Sequence, residues 1–140
     1  MSTVIVQGNV SSLAQDIALG AHQLTADEPT EDGGTDTGPS PYDLLLAALG
    51  ACTSMTIALY ARRKQWAIGE ITVRLTHTRI HAADCAECET KEGKLDRIER
   101  EISFTGALTD EQRTRLLEIA ERCPVHRTLT SEISVRSRLA

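Results

Sequence analysis

Aromatic side chains are almost missing from this chain, which has one Trp, two Tyr and one Phe in 140 residues. The core is therefore aliphatic, and an aromatic stacking platform for single-stranded nucleic acid is excluded. A basic excess is missing as well: 15 Lys and Arg face 20 Asp and Glu, a formal net charge of -5, which argues against a phosphate-backbone binder. Nucleic acid is not an expected partner. The opening MSTVIVQGNV lacks a basic start followed by a long apolar region, so no secretory signal is expected and the compartment reads as cytoplasmic. Ser54 and His126 come without a G-x-S-x-G elbow, which weakens a hydrolase reading. The acidic stretch Asp27 to Asp36 lacks the D-x-D-x-D-G spacing of a calcium loop and reads as a solvated lip.

What is present is organised around Ser40 to Gln65, SPYDLLLAALGACTSMTIALYARRKQ. Ser40 is placed as N-cap, Pro41 as first helical residue and Asp43 as partner in a capping box, while Arg62, Arg63 and Lys64 suit the other end of the helix dipole. Between them, Leu44 to Ala61 carries no charge, the pattern of a helix covered on every side. A membrane span is the rival reading, since the run has the length for one. Ala, Gly, Ser, Thr and Cys dilute it, and no second such segment follows, so no membrane is expected. A seam of small residues, Ala47, Ala51, Ser54 and Ala58, lies on one helix face and allows close approach of another helix. One chain of this length has little material to wrap such a helix, so a second subunit is expected to supply cover.

The remaining pattern is that of a single α+β domain spanning 1–140. Residues 3 to 26 read as two or three antiparallel strands with turn or bulge positions at Gly8-Asn9 and Gly20. Asp27 to Pro39 is a Gly/Pro-rich loop. Trp66 to His81 and Leu95 to Phe104 alternate as the two halves of a long hairpin. TDEQ at Thr109 to Gln112 opens a helix with Leu116, Leu117, Ala120 and Cys123 on one face, stopped by Pro124, and Ser131 to Leu139 reads as a last strand with Ile133 and Val135 inward.

The chemistry rests on four cysteines, Cys52, Cys85, Cys88 and Cys123, which in a reducing compartment are buried, catalytic or metal-binding. Cys52 sits within the apolar helix, where a thiol is often a small buried hydrophobe. Cys123 stands where one helix ends and Pro124 opens the next, with His126 and Arg127 close by, and a thiol there has reasons to ionise. The two are candidates for a peroxidatic and resolving pair. A separate constellation, His77, His81, Cys85 and Cys88, has the ligand types for zinc. On one strand, however, His77 and His81 lie about 13 Å apart. A redox C-x-x-C, or two thiols without a task, are the alternatives, and Asp84, Glu87 and Glu89 nearby disfavour thiolates.

GPSPYDLLLAALGACTSMT followed later by RCPVHRTL resembles the OsmC/Ohr family of thiol-dependent hydroperoxide reductases, in particular its OsmC-like branch, and the element order agrees along the full chain. The resemblance implies an OsmC-like fold in which antiparallel sheets wrap central helices in an intertwined homodimer. It implies that Cys52 attacks an organic hydroperoxide, that Cys123 resolves the sulfenic acid, and that a dithiol reductant reopens the disulfide, without metal, haem or flavin. In the peroxidase members an N-terminal Arg holds the thiolate and a Glu directly after the helix-start Pro orients it. Here Tyr42 follows Pro41, and Met1 to Ala61 contains no Arg. Substitutes in reach by sequence are His22, Tyr42, His126, Arg127 and Arg62. The alternative expectation is a catalytically weak dimer that binds an apolar small molecule at its interface, or one carrying zinc at His77, His81, Cys85 and Cys88.

Overall fold

The structure, a computed structural model, describes residues 2–140. The chain divides into two compact units, residues 1–45 and 46–140. In the first, β1 (Val4–Asn9), β2 (Ser12–Leu19) and β3 (His22–Ala26) form an antiparallel sheet in the order β1-β2-β3. The register shifts between Gln7 and Asn9, a bulge at Gly8, and Gly20 takes a positive φ in the turn from Leu19 to His22. Both features sit where the sequence placed its turn glycines. Val4, Ile5 and Val6 are all more than half exposed, so β1 leaves both its faces uncovered in one chain.

The loop that follows is not simply a solvated lip. Asp27 is buried, and its Oδ2 accepts from the hydroxyls of Thr37 and Thr35 (2.7 and 2.8 Å) and from their backbone N–H groups (3.1 and 3.2 Å). Oδ1 accepts from the N–H of Glu28 at 2.8 Å, and Asp27 itself donates to the carbonyl of Pro39 at 3.1 Å. One carboxylate thus gathers both ends of the loop. Thr37, then Thr35, hold it far below the ordinary carboxylate range against the opposing cost of burial. A composition of acids and glycines suggested solvation because it cannot show where a single carboxylate finds five donors.

Helix α1 (Pro41–Lys64) begins as expected. Ser40 Oγ accepts from the N–H of Asp43 at 3.2 Å, and Asp43 Oδ2 accepts from the N–H of Ser40 at 3.1 Å, a closed capping box. It ends with Gln65 at φ 58, whose N–H reaches Arg62, while the N–H of Trp66 reaches Ala61, the left-handed stop that satisfies the last carbonyls. The expectation of cover on every side fails within one chain. Only Leu49, Gly50, Thr53, Ile57, Tyr60 and Ala61 are buried; Met55 and Leu59 are exposed, as are Ala47 and Ala51 of the small-residue seam. By length and composition the helix is apolar enough to cross a membrane, with a third of that window buried in the protein.

The second unit packs the body of α1 with a hairpin of β4 (Ile71–His81) and β5 (Lys94–Phe104) and with α2 (Asp110–Ala120) and α3 (Pro124–Leu129). The hairpin is in register along its whole length, from Ile71 opposite Phe104 to His81 opposite Lys94. Thr109 and Gln112 form the second capping box. Ile57, Tyr60, Ala61, Ile68, Leu116, Ile119 and Ala120 make the core, edged by Trp66, Ile71, Ile102, Phe104 and Leu108. A fully buried Leu or Ile such as Leu116 or Ile57 contributes about 1.5–3 kcal/mol relative to exposure. Gly50 lets the hairpin come close to α1: a Cβ there would stand 2.7 Å from Leu75 Cδ1.

Two expectations in this unit are corrected. Leu117 points outward, 57% exposed, and α2 stops at Ala120, so Cys123 is not on its apolar face. Helix period alone carried the pattern one turn too far, past a chain that already tightens through Arg122 N–H to Ile119 and Cys123 N–H to Ala120. Ser131 to Leu139 forms no strand, and Ile133 and Val135 are exposed at 53% and 84%. Alternation is necessary for a half-buried strand but a pairing edge is needed too, and β4 and β5 pair only with each other among the described residues.

Candidate active site

Two thiols meet in the second unit. Cys52 lies in the body of α1, half-buried, and Cys123 is the N-cap of α3, fully buried. Pro124 at the first position of α3 fixes its own φ and lacks the N–H that would go unpaired. The chain therefore turns at Cys123, and the N–H of His126 points at the Cys123 sulfur from 3.4 Å. The two thiols lie close enough for each to shift the ionisation of the other.

Their ionisation differs. Burial pushes the Cys52 thiol up, and the neighbouring Cys123 sulfur adds to this by accepting its hydrogen bond, against a smaller pull from the N–H of Val125. Burial also opposes charge on Cys123. There the donors win: Cys52, the N–H of His126, the Thr53 hydroxyl and the N–H of Val125 together bring it below the ordinary thiol value. Of the two thiols Cys123 is therefore the one that gives up its proton more readily, with Cys52 kept as the thiol beside it.

Sequence reasoning missed the cation of this site. Arg100, on β5 opposite Leu75, has a side chain only 11% exposed. Its Nη1 donates to Thr53 Oγ1 at 2.9 Å and to the Ala120 carbonyl at 3.3 Å, and its Nη2 donates to His126 Nδ1 at 2.9 Å. A guanidinium only donates, so Nδ1 of His126 accepts, and the ring proton sits on Nε2, which faces Glu121 Oε2 at 2.9 Å. Glu121 Oε1 also lies 3.6 Å from Arg100 Nη2. The available signal was an Arg at an inward-facing position of an alternating strand, Ile98, Arg100, Ile102, where a cation needs a partner.

Of the residues named from sequence, the structure brings together Cys52, Cys123 and His126. Arg127 is on α3 and exposed, and its carbonyl accepts from the Ser131 hydroxyl. Arg62 lies in the last turn of α1. His22 opens β3 and Tyr42 is in the first turn of α1, both exposed and both within residues 1–45. Beside Pro124 a cleft of about 500 Å³ opens, lined by Thr56, Leu59, Tyr60, Arg63, Ile119 and Arg122. Thr56 is also the residue whose hydroxyl donates to the Cys52 carbonyl, at 2.7 Å.

The zinc constellation is not assembled. Cys85 and Cys88 form a disulfide, and His77 Nε2 lies 2.9 Å from Asp96 Oδ1. His81 ends β4 and is exposed. The group of ligand-type side chains found here is Cys85, Glu87 and Cys88, without either histidine. The strand continues unbroken through both histidines, so they remain a strand's length apart.

The model of the OsmC family, described as OsmC-like protein, matches residues 34–138. A comparison with curated proteins gives no significant match. Among solved structures, the organic hydroperoxide resistance protein OsmC of Legionella pneumophila superposes with a TM-score of 0.68 at 19% identity, over 93% of this chain and 89% of that one. The OsmC-like protein of Mycoplasma pneumoniae gives 0.66 at 21% identity, over 92% and 86%. The organic hydroperoxide resistance protein OhrB of Bacillus subtilis gives 0.64 at 18%, over 93% and 90%. At these identities the structures speak for the fold, and the match of the family model across most of the sequence speaks for kinship: this chain belongs to the OsmC-like family.

Proposed function

We propose that the protein is a thiol-dependent peroxidase for organic hydroperoxides, with Cys52 attacking and Cys123 resolving. The observation that carries this is the pair of neighbouring free thiols itself, one half-open on α1 and the other sealed at the start of α3. Family membership and the hydroperoxide resistance named for two structural relatives point the same way.

The chemistry needs no outside base. As peroxide binds, Cys52 passes its proton to the Cys123 thiolate and attacks the distal oxygen. The O–O bond breaks, the alkoxide takes the proton back from Cys123, and Cys52 is left as sulfenic acid. The Cys123 thiolate then attacks the Cys52 sulfur, hydroxide leaves and a disulfide forms. One alcohol and one hydroxide account for both peroxide oxygens, and an external dithiol returns two electrons. The cleft beside Pro124, with Leu59 and Ile119 for an alkyl group and Arg63 and Arg122 at its rim, fits an apolar hydroperoxide with a polar end.

The functional unit in this reading is a homodimer of single-domain chains, whose second copy covers Met55, Leu59 and the open alanine seam of α1. A second reading, a weakly catalytic dimer binding an apolar small molecule, draws on the same cleft and on the raised Cys52 thiol. Free-thiol count and intact mass before and after one equivalent of cumene hydroperoxide separate the two. Peroxidase action predicts that the wild type loses Cys52 and Cys123 as thiols, that Cys123→Ser traps an oxygen adduct, and that Cys52→Ser does not react. An inert wild type would overturn it in favour of binding.

A further inference from the structure

Arg100 is the most deliberately held cation in the second unit. Its guanidinium is nearly buried, and leaving such a group without acceptors is costly. Its acceptors come from three separate elements: Thr53 on α1, Ala120 at the end of α2, and His126 on α3. Thr53 directly follows Cys52. Ala120 and His126 bracket Cys123 in the chain.

Two routes lead from this side chain to the Cys123 sulfur. The Thr53 hydroxyl accepts from Arg100 and has one hydrogen of its own to give. In the structure that hydrogen goes to the Leu49 carbonyl at 2.7 Å, and turning it toward Cys123 instead is what favours the thiolate there. The guanidinium polarises that hydroxyl and makes it a better donor to a negative sulfur. On the other route, His126 is pinned at both ring nitrogens, by Arg100 and by Glu121. This holds the first turn of α3, and with it the His126 N–H that points at Cys123.

We propose that Arg100 is a positioning residue of the dithiol site, acting on Cys123 chiefly through the Thr53 hydroxyl and secondarily through His126 and the first turn of α3. It deepens the peroxidase reading and rests on the same pair of thiols. Arg100 reaches neither sulfur by any hydrogen bond described above, so its effect is relayed. The titratable and charged groups around the pair are Cys52 itself from α1, Arg100 from β5, Glu121 from the turn after α2, and His126 from α3.

The test is a titration of thiolate absorbance in the reduced protein, with Cys123→Ser as the reference that assigns the Cys123 step. Arg100→Met and Thr53→Val each raise the lower ionisation midpoint by about one pH unit, a tenfold fall in thiolate at fixed pH below the midpoint. Thr53→Ser, which keeps the hydroxyl, restores it. The double variant Arg100→Met/Thr53→Val shifts little more than either alone, because one relay is lost in both. A midpoint unmoved in the near-isosteric Thr53→Val, or fully additive shifts in the double variant, would overturn the proposal, and Thr53→Val decides the matter even where Arg100→Met does not fold. Failure of peroxide to oxidise the wild type would sink the peroxidase reading while leaving these midpoints to stand or fall by themselves.

Discussion

The N–H of His126 is aimed at the sulfur of Cys123 from 3.4 Å, so the buried thiol of the pair, and not the open one, is the easier to ionise. Each thiol is thereby part of the other's environment. Cys123→Ala removes the acceptor that helps raise Cys52, so the Cys52 ionisation midpoint falls, although burial still holds it up. Cys52→Ala removes a donor from Cys123, so the midpoint of Cys123 rises. Site-resolved alkylation across pH reads both directions, and the model fails if the two midpoints move the same way.

Asp27 gives the first unit an acid-sensitive clasp. Its carboxyl is depressed from an ordinary value near 3.8, so its contribution to stability is present in full above that value and is lost as pH falls below it toward the folded-state value. Asp27→Asn places an amide NH2 or a weaker acceptor before five donors. The variant is less stable at pH 7 than the wild type, and the gap closes on acidification below about pH 4. Chemical denaturation at a series of pH values checks this, and a gap that persists unchanged into strong acid would contradict it.

Ala51 is exposed in one chain, and Met55 and Leu59 on the same helix are exposed as well. Ala51→Leu has room in a monomer and is close to neutral there. If the seam is the contact between two copies of α1, the same change overpacks it by about 1–3 kcal/mol, and the dissociation midpoint moves to higher protein concentration. Sedimentation velocity over a dilution series distinguishes these, and unchanged dimer content would remove the helix-pair interface from the model.

The Cys85–Cys88 disulfide lies in the connection beyond the Lys94–His81 pair, while Arg100 is six residues along β5. That is about 20 Å of extended strand, too far for direct exchange with the Cys52–Cys123 pair of the same chain. Cys85→Ser/Cys88→Ser therefore keeps peroxide consumption within about twofold of wild type. Steady-state consumption with a small dithiol measures it, and a collapse of turnover with the fold intact would tie the second disulfide to the reaction.

Elements whose signal is local were legible before the structure. The capping boxes at Ser40 and Thr109 and the turn glycines act over a few residues and stand where they were expected, and the paired alternation of the hairpin does too, except that its first strand starts at Ile71 rather than at Trp66. Cys52, Cys123 and His126 were also named in advance. What escaped was set by distance in sequence. Arg100 meets Thr53 across 47 residues, and its inward position on β5 identifies a buried cation without naming its partners. Ser131 to Leu139 failed for the converse reason: alternation was there, and the pairing edge was not.

Trp66, the sole tryptophan, stands edge-on to Tyr60 with ring centroids 5.5 Å apart, packed against the cluster that holds Leu116 and Ile57. The protein thus carries one built-in optical label, and it belongs wholly to the second unit. Its emission during denaturation reports the unit that contains the thiols and is blind to the three-stranded sheet, whereas far-ultraviolet dichroism sees both. Coincidence of the two signals means that the sheet of residues 4–26 melts as one body with the thiol-bearing part, and a sheet signal lost ahead of the fluorescence means that the thiols keep their scaffold after the first unit has gone.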